Sequence, residues 1–411
     1  MRILFLTQII PYPPNAGPRV KTWNVLRYLA ERGHEVTLCS FVRPEEEEFL
    51  PALRQVCRAV HAVPIRRSRL ADGFYWLRSH LSGRPFLIER DDLKPMRRQV
   101  RHLLATEPFD VIHADQLTMT QFALGAEGMG GKRPFTLFDA HNATWTISDR
   151  LAATVPAPLR PILRLETGRI QRYEGMLVRQ FDHTMVVIEP DRDHLLAGLP
   201  PAERPAAAAR ISAIPIAVDT RELQPVRRRP RGPAIMTLGS LTYPPNADGI
   251  RWFLQEVFPL VQRQIPQANL TLIGKSPPAD FVEMARQQPR AIRVTGYVDD
   301  LTPYMEEAAL MVVPVRAGSG MRVRLLEAFA RAMPAVTTTI GLEGIEATHE
   351  EHVLVADSAE AFAAATVRLL RDEGLQAKLA QNGRSLAETR YDWQIALRQM
   401  DAVYGLAESE S

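Results

Sequence analysis

Residues Met1–Phe41 read MRILFLTQIIPYPPNAGPRVKTWNVLRYLAERGHEVTLCSF, and the pattern within them changes three times. Ile3–Thr7 is an apolar run, a proline-rich loop follows as far as Pro18, an amphipathic helix closes at Gly33, and EVTLCSF is a second apolar run. Strand, helix and strand in that order make a βαβ unit with parallel strands. The rhythm continues in FDVIHA (Phe109–Ala114), FTLFDAHN (Phe135–Asn142), DHTMVVI (Asp182–Ile188) and ISAIPI (Ile211–Ile216), each ending in polar residues. Runs of this kind suit strands covered on both faces, as in a parallel sheet between helix layers.

After Asp219 the sequence changes to PVRRRPRGP, residues 225–233, where proline and arginine recur with no hydrophobic period. That composition predicts a linker. Beyond it the strand pattern restarts in AIMTLGS, ANLTLIG, IRVTGYV, LMVVPV, AVTTTI and HVLVAD, separated by helical segments such as 248–264 and 325–332. The expectation is an α/β fold of two doubly wound, Rossmann-like domains facing across a cleft. The boundaries read as 1–220, a linker at 221–233, and 234–392, with an amphipathic helix at about 393–408 packing back on the first domain. Open α/β sheets bind ligands just after their strands, which singles out residues 15–19, Asp115, His141, 239–246, 274–276 and 318–327.

Composition narrows the function classes. At 411 residues the chain exceeds one ordinary core, and a formal charge of +3 gives no global field that would gather nucleic acid. Cys39 and Cys57 lack metal-ligand or disulfide-framework spacing, which fits two buried thiols in a reducing, cytoplasmic compartment. MRILFLTQII is too short to span a bilayer and has no small-residue cleavage site after it, so it predicts a first strand and not a signal peptide. With no long uncharged apolar run elsewhere, the expectation is a soluble or peripheral protein. The run Glu45–Glu48 reads as a solvated helix start.

One segment points to an anion. In GSGMRVRLLEA (Gly318–Ala328) a glycine-rich turn after a strand leads into a helix, whose free N–H groups and dipole favour a negative charge. Arg322 and Arg324 stand near that positive helix end, which costs stability unless an anion offsets it. Phosphate or diphosphate suits them, because guanidinium binds it in bidentate fashion. Glu327, one turn on, is placed to accept from two vicinal ribose hydroxyls; pairing with Arg324 and Arg331 on the helix surface is the alternative. His141 follows a strand in FDAHN and reads as either a functional or a hydrogen-bonded structural histidine. Gly17 permits close backbone approach to phosphates or is an ordinary turn glycine. No G-x-G-x-x-G follows the first strand, which argues against a nicotinamide or flavin enzyme, and Asp299–Asp300 reads as a turn, so no metal site is expected.

The segments PYPPNAGPRVKTWNVLRYLAERGHEVTL, FDVIHAD, DAHN, IPIAVDT and GSGMRVRLLEAFARAMPAVTTTIGLEG together resemble retaining nucleotide-sugar glycosyltransferases of the GT-B fold, family 4 or group 1. PPNADGIRWF, GYVDDL and GSGMRVRLLEA are most similar to the bacterial transferases of exopolysaccharide biosynthesis. The resemblance implies a metal-independent hexosyltransferase with no cofactor, its nucleotide-diphosphate sugar held by the C-terminal domain and a glycan or polyprenyl-linked acceptor by the N-terminal one. It implies donor contacts at Gly17, Gly318, Ser319, Gly320, Arg322, Arg324 and Glu327, and catalytic roles for His141 and Arg322. In the family's glutamate, seven residues, glutamate motif, Glu327 matches the second position and Ser319 replaces the first. Where the family carries an arginine and a lysine in the first loop of the C-terminal domain, GSLTYPPNADG has Ser240 and Asn246. Arg322, helped by Arg324, is therefore expected to neutralise the leaving diphosphate. A nucleotide-sugar epimerase of the same fold and a non-catalytic sugar-nucleotide-binding protein remain alternatives. Finally, IRRSRLADGFYWLRSHL (Ile65–Leu81) mixes arginines with aromatics, which suits either peripheral contact with the inner face of an anionic membrane or a core-packing helix with a solvated arginine face.

Overall fold

Every apolar run named above becomes a strand in the computed structural model, which describes residues 1–124, 133–318 and 320–409. The first sheet contains β1 (Arg2–Thr7), β2 (Glu35–Val42), β3 (Ala59–Pro64), β4 (Val111–Asp115), β5 (Phe135–Ala140), β6 (His183–Val186) and β7 (Ile211–Ala213). Their order is β3-β2-β1-β4-β5-β6-β7, with parallel pairing throughout. Central β1 is covered on both faces, so Ile3, Leu4, Phe5 and Leu6 are all fully buried. Edge strand β3 escaped the sequence reading because only Val63 in it is buried, which leaves AVHAVP without a continuous apolar run.

The second sheet contains β8 (Ala234–Leu238), β9 (Asn269–Ile273), β10 (Ile292–Gly296), β11 (Leu310–Val313), β12 (Ala335–Thr337) and β13 (Leu354–Val355), in the order β10-β9-β8-β11-β12-β13. Both sheets are doubly wound. The order reverses between β1 and β4 in one and between β8 and β11 in the other, and such switch points are where connections part and leave room for a ligand.

The chain divides into two units, Met1–Pro215 with Ala396–Ser411, and Ile216–Ile395. Residues 225–233, expected as a linker, lie within the second unit. Val226, Arg229 and Arg231 donate backbone N–H groups to the carbonyls of Arg331, Glu306 and Glu307, and Arg228 reaches the carbonyl of Ala309 at 2.8 Å. A proline and arginine composition carries no hydrophobic period, but it does carry donors that can tie an extended segment to a surface.

Seven helices matter below: α1 (Gly17–Glu31), α2 (Arg69–Ser82), α3 (Thr144–Thr154), α4 (Arg160–Gln180), α5 (Pro244–Trp252), α6 (Val323–Ala330) and α7 (Gln399–Ser409). The single helix expected over 248–264 is α5, a wider π-type turn at Phe253–Val257, and a helix at Phe258–Gln264. Pro259 is the reason, since it has no N–H for the carbonyl four residues back and its ring crowds the preceding turn. In the acidic run Glu46 is buried, bonded to Arg19 and to the backbone N–H of Arg43, so only its neighbours are solvated.

Helix α2 does not pack by its apolar face. Leu70, Phe74, Leu77 and Leu81, spaced as one helical stripe, are 89%, 61%, 55% and 82% exposed. The opposite side attaches through polar contacts, Ser79 to the carbonyl of Arg84 and Arg78 to Glu89. No helix among the described residues is long and apolar enough to cross a membrane.

The last helix, α7, docks on the first unit. Asp401 accepts from Tyr28 at 2.7 Å and from Arg32, while the Tyr404 hydroxyl bonds Nδ1 of the buried His113 at 2.7 Å. Tyr404→Phe keeps the ring and leaves a buried imidazole nitrogen unsatisfied, a loss of about 1–3 kcal/mol. The expected result is a lower urea midpoint at unchanged slope; an unchanged midpoint would mean that this bond does not hold α7 in place.

Candidate functional site

In the first unit the polar residues gather at the C-terminal ends of β1, β4 and β5. Thr7, Asp115 and Asp139 stand at one level of the sheet, each the register partner of the next. Asp115 and Asp139 are both fully buried, and two neighbouring carboxylates cannot stay ionised there without compensation. Helix α1 and the loop after β5 provide it. His141 Nε2 lies 2.7 Å from Asp115 Oδ1, and Thr7 and Thr22 donate to Oδ2 at 2.8 and 3.0 Å. The ammonium of Lys21 is on Asp139 Oδ1, and His113 Nε2 is 3.3 Å from Oδ2. Burial would raise both carboxyls, but His141 holds Asp115 below the ordinary range, and Lys21 with His113 holds Asp139 far below it.

His113, Asp115 and Asp139 each offer a metal-ligand atom within 4.8 Å of the others, a grouping the sequence reading did not foresee. In this arrangement Lys21 already stands at the point where a cation would bind Asp139. His141 is 10% exposed, with one ring nitrogen committed to Asp115. Asp115 thereby sets the ring's orientation, as a carboxylate does for a histidine in other sites.

Behind that histidine, α3 starts on a capped end. Glu174 of α4 accepts the backbone N–H groups of Thr144 and Trp145 at 2.7 and 3.2 Å. The carboxyl is fully buried, and burial pushes its pKa up to about 8 against those two bonds.

In the second unit the turn after β11 leads into α6, and Gly318 and Gly320 take left-handed backbone, with φ of 117° and 82°. A Cβ at Gly318 would lie 3.1 Å from the guanidinium of Arg322. Arg322 is the N-cap residue of α6, 9% exposed, and Arg324 is the second residue of the helix. Arg324 reaches into the first loop of the unit, donating to the carbonyl of Leu238 at 2.9 Å and to Asn246 Oδ1. Gly239 makes room, since a Cβ there would be 2.5 Å from the Arg324 guanidinium. Burial and the neighbouring Arg322 lower the Arg324 pKa to about 10. Both of these acceptors are neutral, so the charge of Arg324 adds to that of Arg322 at the mouth of the turn.

Glu327 makes no direct ion pair with Arg324 or Arg331 among the described residues; Arg331 bonds Thr302 instead. Burial pushes the Glu327 pKa up to about 7, with Arg331 and Arg324 opposing. The surface salt bridge weighed from sequence is thus not formed. Gly318, Gly320, Arg322, Arg324 and Glu327 come together at one helix start, while Ser319 lies outside the described residues. Gly17 is the first residue of α1, with helical and not left-handed backbone.

Two family matches span most of the chain. Residues 16–216 match the glycosyl transferase 4-like domain, and residues 232–372 match glycosyl transferases group 1. The chain belongs to the group 1 glycosyltransferases. Its fold is GT-B: HepE of Anabaena in complex with UDP-glucose matches at TM-score 0.69 and 14% identity over 98% of this chain and 99% of that one. Sucrose-phosphate synthase from Thermosynechococcus elongatus matches at TM-score 0.70 and 17% identity, covering 100% of both. A protein in the cps region of Klebsiella pneumoniae is 26% identical over 164 residues, 38% of this chain and 42% of that protein. Phosphatidyl-myo-inositol mannosyltransferase of Mycolicibacterium smegmatis is 25% identical over 177 residues, 42% of this chain and 45% of that one. The chain thus matches less than half the length of these curated relatives.

Sequence reasoning missed Lys21, Thr22, His113 and Tyr404. A signal was there, since VIHAD and FDA carry His113, Asp115 and Asp139 inside strands expected to be buried on both faces, where a charge requires a partner. The partners themselves come from α1 and α7 and are not adjacent in sequence. Glu174 gives a measurable consequence. Its folded pKa of about 8 exceeds the ordinary 4.5, so its contribution to stability is complete below pH 4.5 and is lost as pH rises through 8. Glu174→Gln lacks this dependence, so its melting temperature relative to the wild type should rise across that window; a constant difference would show that Glu174 is not buried as a titrating group.

Proposed function

We propose that the protein is a retaining, metal-independent glycosyltransferase of hexosyltransferase type, moving a sugar from a nucleotide diphosphate to a glycan or lipid-linked acceptor in cell-surface or exopolysaccharide synthesis. The observation that carries this reading is the placement of two guanidinium groups and a half-buried carboxylate at the start of α6, just after a strand at the switch point of the second sheet. The diphosphate sits at the helix start, where N–H groups, dipole, Arg322 and Arg324 favour it together. Glu327 accepts from the ribose hydroxyls.

Cleavage of the bond between the anomeric carbon and the diphosphate builds negative charge on the leaving oxygen, and fixed cations already in place lower that barrier without reorganising. Arg324 brings one into GSLTYPPNADG from another element, in the place of the arginine and lysine absent there. The guanidinium groups thus supply the charge a divalent ion would otherwise bring. On the first unit His141, aimed by Asp115, positions the transferred sugar and stabilises its oxocarbenium-like state. HepE with UDP-glucose supports a nucleotide sugar as donor, and the Klebsiella and mycobacterial relatives support surface-glycan or lipid acceptors. The bare apolar stripe of α2, with Arg66 and Arg69 beside it, lies on an anionic inner membrane face.

Arg322→Ala and Glu327→Ala should each weaken UDP binding by about 1–3 kcal/mol, read by calorimetry, with transfer unchanged by EDTA. Unchanged affinity in both variants would remove the donor site from α6. For the membrane contact, the chain should sediment with phosphatidylglycerol vesicles and not with phosphatidylcholine vesicles, and Phe74→Ser with Leu81→Ser should abolish it. Equal sedimentation of wild type and double variant would exclude α2 as the contact.

A further inference from the structure

The proline and arginine segment at 225–233 is bonded along the second unit, and its latter half walls a cavity of about 760 Å³. The cavity opens at the N-terminal ends of strands: Pro233 lies just before β8, Gln267 just before β9 and Ala309 just before β11. The glycine turn follows the other end of β11, so the cavity and the turn are at opposite edges of one sheet.

Arg228 reaches this wall half-buried. Its Nη1 donates to the carbonyl of Ala309 at 2.8 Å and to Gln376 Oε1 at 3.0 Å, which leaves Nε and Nη2 without a partner among the described residues. Arg371, the last residue of a helix at Ala359–Arg371, commits Nη2 to the carbonyl of Gln264 at 3.0 Å. Neither guanidinium forms an ion pair among the described residues, not even with Glu373, which shares the wall. Burial lowers the Arg228 pKa from its ordinary value, and no carboxylate raises it back. Half-buried arginines elsewhere are matched, since Arg84 and Arg97 both pair with Asp92. A guanidinium drawn out of water onto neutral acceptors alone costs stability until an anion joins it. Arg324 shows the same pattern beside the glycine turn.

We propose that this cavity is a second anion site, separate from the turn before α6, and that it takes a small phosphate monoester. Each guanidinium carries five N–H donors and commits one nitrogen to the protein, so the pair suits the three terminal oxygens of a phosphate better than a single carboxylate. The volume falls within the range of small-molecule sites, about 300–1,000 Å³. Pro230, Pro233, Pro266 and Leu370 supply apolar wall for the body of the ester, and Gln264 and Gln267 bring amides able to bond its hydroxyls. The assignment goes beyond the transfer reaction and stands whether or not α6 holds the donor.

Calorimetry on the full chain tests it, with saturating UDP present and with glucose 6-phosphate, inorganic phosphate and glucose as probes. Wild type should bind glucose 6-phosphate, and Arg228→Gln combined with Arg371→Gln should weaken that binding about tenfold or more. Arg371→Gln alone, at an exposed position, should weaken it in the same direction, and a cooperative urea transition certifies that each variant is folded. Arg322→Ala should leave it unchanged. The proposal is overturned if wild type binds no glucose 6-phosphate, if glucose or inorganic phosphate binds as tightly, if the double variant binds undiminished, or if Arg322→Ala removes binding. Failure of UDP to bind the wild type would strike the donor reading and leave the glucose 6-phosphate result standing.

Discussion

Two buried carboxylates at the same level of a parallel sheet are the constraint around which the first unit is arranged. Asp115 and Asp139 end adjacent strands, both fully buried, and an uncompensated charge in such a place costs several kcal/mol. Compensation has to arrive from outside the sheet. Lys21 and Thr22 bring α1 onto the strand ends, His141 brings the loop after β5, and His113 brings in Tyr404 from the far end of the chain. The same contacts that make the carboxylates tolerable also fix the imidazole of His141.

The second unit meets the opposite problem, an excess of cations. Arg322 and Arg324 lie together at a helix start whose dipole already disfavours them, and the turn accommodates them through glycine at two points of close approach, Gly318 and Gly239. Backbone N–H groups, guanidinium groups and the half-buried carboxyl of Glu327 are then in place before any ligand arrives. In the function proposed, a site prepared in this way needs little reorganisation when charge develops on a leaving group.

The strand pattern and the polar loops that follow the strands were legible because each depends on local sequence. Short apolar runs ending in polar residues suffice to place twelve of the strands, and the rule that ligands lie after strands makes His141 and the turn before α6 candidates. Edge strand β3 was invisible because half-exposed residues carry no such run. The bare stripe of α2 was also undecided, since the same amphipathic pattern serves a core-packing helix, and only the fold reveals which face has no neighbour.

What the sequence determined by itself was therefore periodic or local: α/β class, doubly wound order and the glycine turn, while Ser319, Ser240 and Asn246 stand out only against the motif of the family it resembles. What only the tertiary structure decided were partnerships across long separations. That Arg324 spans 78 residues to Asn246, that Tyr404 lies 291 residues from His113, and that the starts of three strands border an arginine-lined cavity are consequences of packing. The physical reason is that burial, and with it the need of each charge for a partner, is a property of the folded chain, and no window of residues contains it.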